Sequence, residues 1–489
     1  MVSGKVNGVS GDLVVKTVDF SGSPFHFIGI GGIGMSALAY ILAKRHLPVS
    51  GSDLHPSKIT ERLQSVGAHV FNEQGPKNLD FFSVNPKYNN KQGSRPLKQT
   101  PQIICSTAIS DKNIEYQAAQ DLGYPIFHRS DILAALIKEQ QSIAVAGTHG
   151  KTTTSSLIGY VLVQARLDPT IIVGGEVDAW QGNARLGKGK WLVAEADESD
   201  GSLSKYSPSI GVITNIELDH PDHYQDLDQV IDIFQVFAKQ CRILVVCLDC
   251  PSIRQYFQPT ISYGLNPETK ADYSATEIVY GPEGSTCQVW EKGEKLGSLK
   301  LSIPGEHNVS NALAAVAVLR KMNLDFPVIA QAMASFTGAK RRFELKGTVS
   351  GINFIDDYAH HPSEIKATLS AARSKLALMK DKRIVTVFQP HRYTRTAKFI
   401  DEYAVSFGDS DLVVLTDIYS AGEPNIDKMD GQKLVNCVSR HHPSVYYHPD
   451  LASLAQFLQT ILRPGDWVLF LGAGNLNQVI PQLINTYTI

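Results

Sequence analysis

An apolar run, AVA, breaks into Gly147-Thr148-His149-Gly150-Lys151-Thr152, and residues of helical type follow at once. A strand that turns through glycine into a helix leaves backbone N–H groups pointing outward at the helix start, where the helix dipole favours an anion. Lys151 would neutralise the β- and γ-phosphates of a nucleoside triphosphate there, and the Thr152 hydroxyl would ligate Mg²⁺. The strict GxxxxGK[ST] spacing is not met, because Val145 occupies the first glycine position. A plain structural turn is the competing reading. A phosphate-bound Mg²⁺ needs further ligands, supplied in open α/β sheets from the C-terminal ends of neighbouring strands. Two acidic clusters follow apolar runs downstream: WLVAEADES carries Glu195, Asp197 and Glu198, and GVITNIELDH carries Glu217, Asp219 and His220. Glu195 and His220 are the expected partners of Thr152 around the metal; solvated loop acids are the alternative.

Further on, IPGEHNVSNALAA places Asn308 and Asn311 one helical turn apart, facing the same way. An N-cap role competes for Asn308. Asn311 falls inside the helix, where its amide would meet a base or a metal-bound water. GAKRRFEL supplies Arg341 and Arg342, either a clamp on a transferred phosphoryl group or an exposed pair at a domain boundary. FIDDYAHHPSE and FQPHRYTRT follow two later apolar runs and concentrate Asp356, Asp357, Tyr358, His360, His361, His391, Arg392 and Arg395 where a second substrate would bind. Adjacent histidines rarely reach one ion together, so metal binding by His360 and His361 is not expected. Near the start, FHFIGIGGIGMSALA satisfies G-x-G-x-x-G through Gly29, Gly31 and Gly34, with Asp53 nineteen residues on. Alone, this fingerprint admits a nicotinamide dinucleotide or any other pyrophosphate next to a ribose.

Three α/β series are needed to position these groups. From Phe25 to about Gln140, and again after Ser142 and after Arg342, apolar strand-like runs alternate with amphipathic helical ones, the pattern of right-handed βαβ units on mostly parallel sheets. The stretch from Tyr273 to Gly305 alternates as antiparallel hairpins do. The expected fold is therefore α/β in three domains: a Rossmann-like N-terminal domain over 24–140, a central P-loop-type domain over 141–340, and a Rossmann-like C-terminal domain over 341–489. A flexible extension, 1–23, precedes them, and a polar Gly/Pro/Asn-rich insertion over about 72–102 interrupts the first. Length fits this count: 489 residues exceed one compact core. Hydrophobic residues are 43%, charged residues 19% and the net charge −2, which exclude a mostly disordered chain and give no global argument for nucleic acid or membrane. The six cysteines are scattered, CLDC at 247–250 lacks a second pair for zinc, and no signal peptide or long apolar run is present. Reduced thiols and a cytoplasmic location are expected.

GTHGKTTT, AEADESD, TNIELDH, PGEHNVSNALAA, GAKRRFE, IDDYAHHPSEI and FQPHRYTRT, in that order, resemble the signatures of the Mur ligases from about residue 24 to the end. With IGIGGIGMSALA and GSD, they are most similar to the member that joins L-alanine to the lactyl carboxylate of UDP-N-acetylmuramate through an acyl phosphate, releasing ADP and phosphate. The resemblance implies a UDP-sugar site formed by Gly29, Gly31, Gly32, Ile33, Gly34, Ser36, Asp53, Ser106, Thr107 and Ala108. It implies an ATP site from Gly147, Thr148, His149, Gly150, Lys151, Thr152, Thr153, Asn308, Asn311, Arg342 and Asp357. Tyr358, His360, His391, Arg392 and Arg395 would receive the amino acid, Lys151, Glu195, His220 and Arg342 would serve the chemistry, and Mg²⁺ would sit on Thr152, Glu195 and His220. A monomer or weak homodimer is expected. Small departures exist: Ala37 stands where the family's MSG has glycine, Asn113-Ile114-Glu115 replaces NPE, and Lys205 lies where later-step relatives carry a carbamylated lysine. Two other readings compete: a recycling ligase that adds a tripeptide to the same UDP-sugar, and a non-catalytic NAD- and ATP-binding sensor.

Overall fold

The computed structural model describes residues 17–85, 100–377, 379, 382–425 and 428–488. Residues 1–16 of the expected extension and 86–99 of the expected insertion lie outside the described residues. Within the remainder of the extension, Asp19 exchanges two hydrogen bonds with the Gln102 amide, at 2.8 and 2.9 Å. The chain divides into two compact units, Met1–Ala135 and Leu136–Ile489.

In the first unit, strands β1 (Phe25–Ile28), β2 (Val49–Ser52), β3 (His69–Phe71), β4 (Gln102–Cys105) and β5 (Ile126–His128) form a parallel sheet in the order β3-β2-β1-β4-β5. Every residue of β1 is buried, as expected for a central strand covered on both faces. The chain winds outward one way through β2 and β3 and the other way through β4 and β5. A crevice therefore opens beyond the C-terminal ends of β1 and β4. Gly29–Gly34 leaves β1 and Ser106–Ala108 leaves β4 on that edge, and helix Ile33–Lys44 starts from Gly32.

The second unit carries two sheets among its described residues. The first contains β6 (Gln141–Ala146), β7 (Thr170–Val177), β8 (Gly182–Arg185), β9 (Trp191–Glu195), β10 (Ile210–Ile213), β11 (Ile243–Cys247), β12 (Ile261–Gly264), β13 (Tyr273–Gly281), β14 (Gly284–Glu291) and β15 (Glu294–Leu301). Their order is β15-β14-β13-β12-β11-β10-β6-β9-β7-β8, with antiparallel hairpins at β13–β15 and β7–β8. Strand β6 is thus flanked by β9 and β10, both parallel to it, with Val145 opposite Glu195 and Ala146 opposite Ile213. The alanine-rich helix Glu306–Lys321 is solvent-free from Ala312 through Leu319 and forms part of the core. Small side chains let it lie close to the sheet and bring its polar first turn to the strand ends.

The second sheet contains β16 (Glu344–Val349), β17 (Ile352–Asp357), β18 (Arg383–Phe388), β19 (Leu412–Leu415), β20 (Val445–Tyr447) and β21 (Asp466–Leu471), in the order β16-β17-β21-β18-β19-β20. Only the β16 pairing is antiparallel. Asp357 and Phe388 both lie opposite Leu471, so the two polar clusters leave the sheet on either side of β21. No helix among the described residues is long and apolar enough to cross a membrane, and no disulfide joins the six cysteines.

Candidate active site

The Gly147–Gly150 loop leaves β6 and enters helix Lys151–Gln164 through Gly150, whose φ of +81° is a left-handed helix start. Gly147 has φ +137°, and a Cβ there would collide with Thr214 Oγ1. Both backbone and neighbours demand glycine. Gly147→Ala is expected to weaken ATP binding at least tenfold, about 1–3 kcal/mol of backbone strain appearing as loop displacement; isothermal titration of wild type and variant is the check. The loop is tied to the strand beside it: Thr214 Oγ1 donates to His149 O (2.5 Å), Asn215 Nδ2 to the same oxygen (3.0 Å), and His149 N to Asn215 Oδ1 (2.8 Å).

Lys151 Nζ donates to both oxygens of Glu198, at 2.9 and 2.8 Å, and to the carbonyls of Gly147 and Thr148. Burial works against its charge, but Glu198, Asp197 and Glu195 outweigh that and hold the ammonium above the ordinary lysine range. Burial pushes the Glu198 carboxyl up to about 7 against the attraction of Lys151. One residue on, Thr152 Oγ1 donates to Glu195 Oε2 (2.9 Å), which also accepts from Gly174 N (2.6 Å). His220, at φ +54°, places Nε2 3.6 Å from Asp219 and 3.9 Å from Glu198. Donor atoms of Asp197, Glu198 and His220 lie within 4.8 Å of one another, as do those of His149, Glu217 and His361.

A cleft between the two sheets of this unit is lined by His149, Gly150, Asn308, Asn311, Arg342 and Asp357, among others. Asn308 Nδ2 donates to Pro304 O (2.6 Å), and Asn311 joins Asn308 Oδ1 to Thr154. Gly305, not Asn308, is the N-cap of this helix. The arginine pair splits. Arg341 turns into the second sheet, onto Asp356 and Gly472 O, whereas Arg342 faces the cleft with Nη1 4.0 Å from Glu364. Asp357 accepts from the N–H groups of Phe343 (2.7 Å) and Ala359 (2.8 Å), and burial raises its carboxyl to about 6.

On the far side of β21, Arg395 is 2% exposed and fans out: Nε donates to Asp219 Oδ1 (2.8 Å), Nη1 meets His391 Nδ1 (3.1 Å) and Nη2 meets His220 Nδ1 (3.5 Å). Burial, with His360, Arg395 and Arg392 adding repulsion, lowers His391 to about 3, and burial lowers His360 to about 4, so both rings are neutral at physiological pH. The rings lie 5.7 Å apart, and His360 Nδ1 meets Tyr358 O at 3.0 Å. Arg392 Nη1 donates to Asp222 (2.8 Å). Tyr358 packs beneath both Arg341 and Arg342, 4.9 and 5.3 Å from its ring.

Three family models match the chain: the Mur ligase family catalytic domain over residues 24–141, the Mur ligase middle domain over 145–319, and the Mur ligase glutamate ligase domain over 341–474. The chain belongs to the Mur ligase family. Proteins named UDP-N-acetylmuramate–L-alanine ligase from Microcystis aeruginosa and Gloeothece citriformis are 64% and 62% identical to it, over 97% and 96% of this chain and 98% and 99% of theirs. A crystal structure of the UDP-N-acetylmuramate-alanine ligase of Thermotoga maritima matches with a TM-score of 0.79 at 27% identity, over 95% of this chain and 99% of that one.

In this Mur ligase the structure brings Lys151, Thr152, Thr153, Asn308, Asn311, Arg342 and Asp357 around one cleft or its loop. It brings Thr152 to Glu195, but His220 converges with Asp197 and Glu198, and Glu195 is not among that converging group. His223 is exposed and packs edge-on against Tyr224. In the first unit Asp53 turns inward: Oδ2 accepts from Gly31 N (2.8 Å) and Oδ1 from His55 N (3.0 Å), bracing the glycine turn. Buried Ser36 donates to Ile33 O. Residues that sequence reasoning passed over are Glu198, Glu217, Asp219 and Glu364. The first three stood in quoted acidic clusters, but nothing local distinguished them from their neighbours. Glu364 carried one signal, its place three residues after His361 at a helix start.

Proposed function

We propose that this Mur ligase joins L-alanine to the lactyl carboxylate of UDP-N-acetylmuramate, releasing ADP and phosphate, in the synthesis of peptidoglycan precursors. The observation that carries the reading is near-full-length likeness to proteins of that name, and the convergence of a phosphate loop and a His/Arg cluster on one unit supports it. Residues 24–140 serve as the UDP-sugar domain, 141–340 as the ATP domain and 341–489 as the amino-acid domain, and the enzyme works in the cytoplasm.

A carboxylate is a poor acylating agent. Its oxygen attacks the γ-phosphorus, the bond to the β-phosphate oxygen breaks, and ADP leaves. The amine of L-alanine then attacks the acyl carbon, a proton is lost, and the tetrahedral intermediate expels phosphate. Positioning and charge stabilisation are the protein's contributions. Loop N–H groups and Lys151 hold the phosphates, with Lys151 exchanging Glu198 for phosphate oxygens. Asn308, Asn311 and Asp357 line the nucleotide cleft, and Arg342 faces the transferred phosphoryl group. His360, His391, Arg392 and Arg395 receive alanine, the guanidinium groups suiting its carboxylate and the neutral imidazoles its amine. The adjoining hydroxyl of Thr152 and carboxylate of Glu195 are hard oxygen donors suited to Mg²⁺ and fit that ion, and His220 would complete the set. When bound, Mg²⁺ neutralises developing charge on the phosphate oxygens. In the first unit the glycine turn and Ser106–Ala108 hold the UDP-sugar at the strand switch point.

Phosphate release by the purified protein with UDP-N-acetylmuramate, ATP and each of L-alanine, glycine, L-serine and tripeptide tests the reading. L-alanine is expected to give the highest kcat/KM; activity with tripeptide alone would replace this reading with the recycling ligase. NAD is expected not to bind in a parallel titration, and NAD binding without alanine-dependent phosphate release would favour the sensor.

A further inference from the structure

Glu364 sits where the phosphate loop, the cleft arginine and the amino-acid histidine meet. It lies in the first turn of helix Pro362–Leu376 and completes a capping box, Oε2 accepting from the N–H groups of His360 (3.0 Å) and His361 (3.2 Å). The same carboxylate reaches three basic side chains. Oε1 is 3.3 Å from His149 Nδ1 and 4.0 Å from Arg342 Nη1, and Oε2 is 3.3 Å from His360 Nδ1. Its side chain is 13% exposed. A capping box needs only an acceptor, and Gln serves as well as Glu. Here the charge has work of its own. Burial opposes ionisation of Glu364, yet His360, His149 and Arg342 outweigh it and hold the carboxyl well below its usual range. His149 is clamped from its other side by Glu217, 3.3 Å from Nε2, and that carboxylate also accepts from Ser363 Oγ (2.6 Å). Although burial would lower His149, the two glutamates raise it to about 10, so the loop presents an imidazolium between them.

We infer that Glu364 is a positioning residue whose charge couples His149 of the phosphate loop to Arg342 and His360, holding the phosphoryl and amino-acid subsites in register. The inference rests on the ligase reading above for the roles of Arg342 and His360. Transfer of the acyl group needs the amine within attacking distance of a carbon beside the departing phosphate, and a misplacement of about 1 Å costs roughly 10²-fold in rate. A single carboxylate 3.3 Å from the loop histidine and His360 and 4.0 Å from the arginine ties these positions together electrostatically.

The test uses the full chain as wild type, Glu364→Gln, His149→Asn and the double variant, with wild-type activity on L-alanine established first. Gln keeps the cap and removes the charge. Glu364→Gln is expected to remain folded with a lower melting temperature, because it strips the charge facing partly buried His149, and, assayed well below that temperature, to bind ATP within about threefold of wild type, to lose roughly 10- to 100-fold in kcat and to show a raised KM for L-alanine. The double variant is expected to be little worse than the poorer single one, because both break the same link. A Glu364→Gln protein with kcat within threefold of wild type overturns the inference. So do losses that multiply in the double variant, or a kcat loss that disappears when both proteins are assayed well below their melting temperatures. Wild-type protein inactive with L-alanine overturns the functional reading itself, and this inference with it.

Discussion

Lys151→Met is expected to lower kcat at least about a thousandfold while yielding a folded protein whose stability falls further behind wild type as pH rises. The catalytic loss follows from removing the cation nearest the phosphates; a single oxyanion donor is worth roughly 10²–10³ in rate, and a full charge in a dry cleft is worth no less. The stability effect follows from Glu198, 2% exposed and hydrogen-bonded through both oxygens to Lys151 Nζ. Stripping one partner from a buried pair costs about 3–5 kcal/mol. Burial places the folded Glu198 at about 7, above its unfolded value near 4.3. Protonation therefore favours the fold: that contribution is complete below the unfolded value and is lost as pH climbs through the folded one. Without Lys151 the folded value moves higher still, so the deficit grows between pH 5 and pH 8. Single-turnover phosphate release and melting curves at both pH values measure the two effects. A deficit that is constant with pH would mean that Glu198 finds another cationic partner.

Arg395→Met should be the most destabilising single change in the second unit. The guanidinium is buried against Asp219, His391 and His220, groups that reach it from the loops after β10 and β18. Burial opposes the charge on Asp219, but Arg395 outweighs it, with His220 adding to the effect, and holds that carboxyl far below the ordinary range. Such a depressed group contributes stability at neutral pH that is lost only as pH falls into strong acid. Methionine fills much of the volume and leaves Asp219 unpaired, at a cost of about 3–5 kcal/mol and a melting-temperature drop on the order of 10 °C. Activity should fall at least 100-fold, since His391 and His220 lose their common anchor. Arg395→Lys keeps the charge but not the three-way fork; it should recover part of the melting temperature and little of kcat. Equal recovery of both would show that charge alone matters there.

Much of this was legible in the residues themselves. The phosphate loop, the acid-bearing strand ends and the three α/β series are local patterns, because glycine turns, helix starts and apolar periodicity depend on neighbours a few residues away. The edge strands β8 and β16 carry no clear strand signal along the chain: GNAR is short, and ELKGTV is half-exposed and polar, so neither shows the apolar run of a covered strand. The capping alternative for Asn308 failed because Gly305, at φ +100°, already begins the helix. The dinucleotide fingerprint was the most ambiguous motif, since glycine spacing reports a pyrophosphate turn without naming what is attached to it. Asp53, which bonds the turn itself, adds no sign of a nicotinamide ribose.

By itself the sequence marked out candidate site residues and, through its ordered motifs, the family the chain belongs to. Only tertiary structure decided how they pair. Lateral neighbours in a parallel sheet are set by long crossovers, so the placement of β6 between β9 and β10 is invisible along the chain. That placement gives Lys151 to Glu198 and Thr152 to Glu195, two acids three residues apart whose types are identical. Packing of the two sheets in the second unit then set Glu364 against His149 and Arg395 against Asp219, contacts that span well over a hundred residues of sequence. Residue type limits what a side chain is able to do, and the fold selects the partner with which it does it.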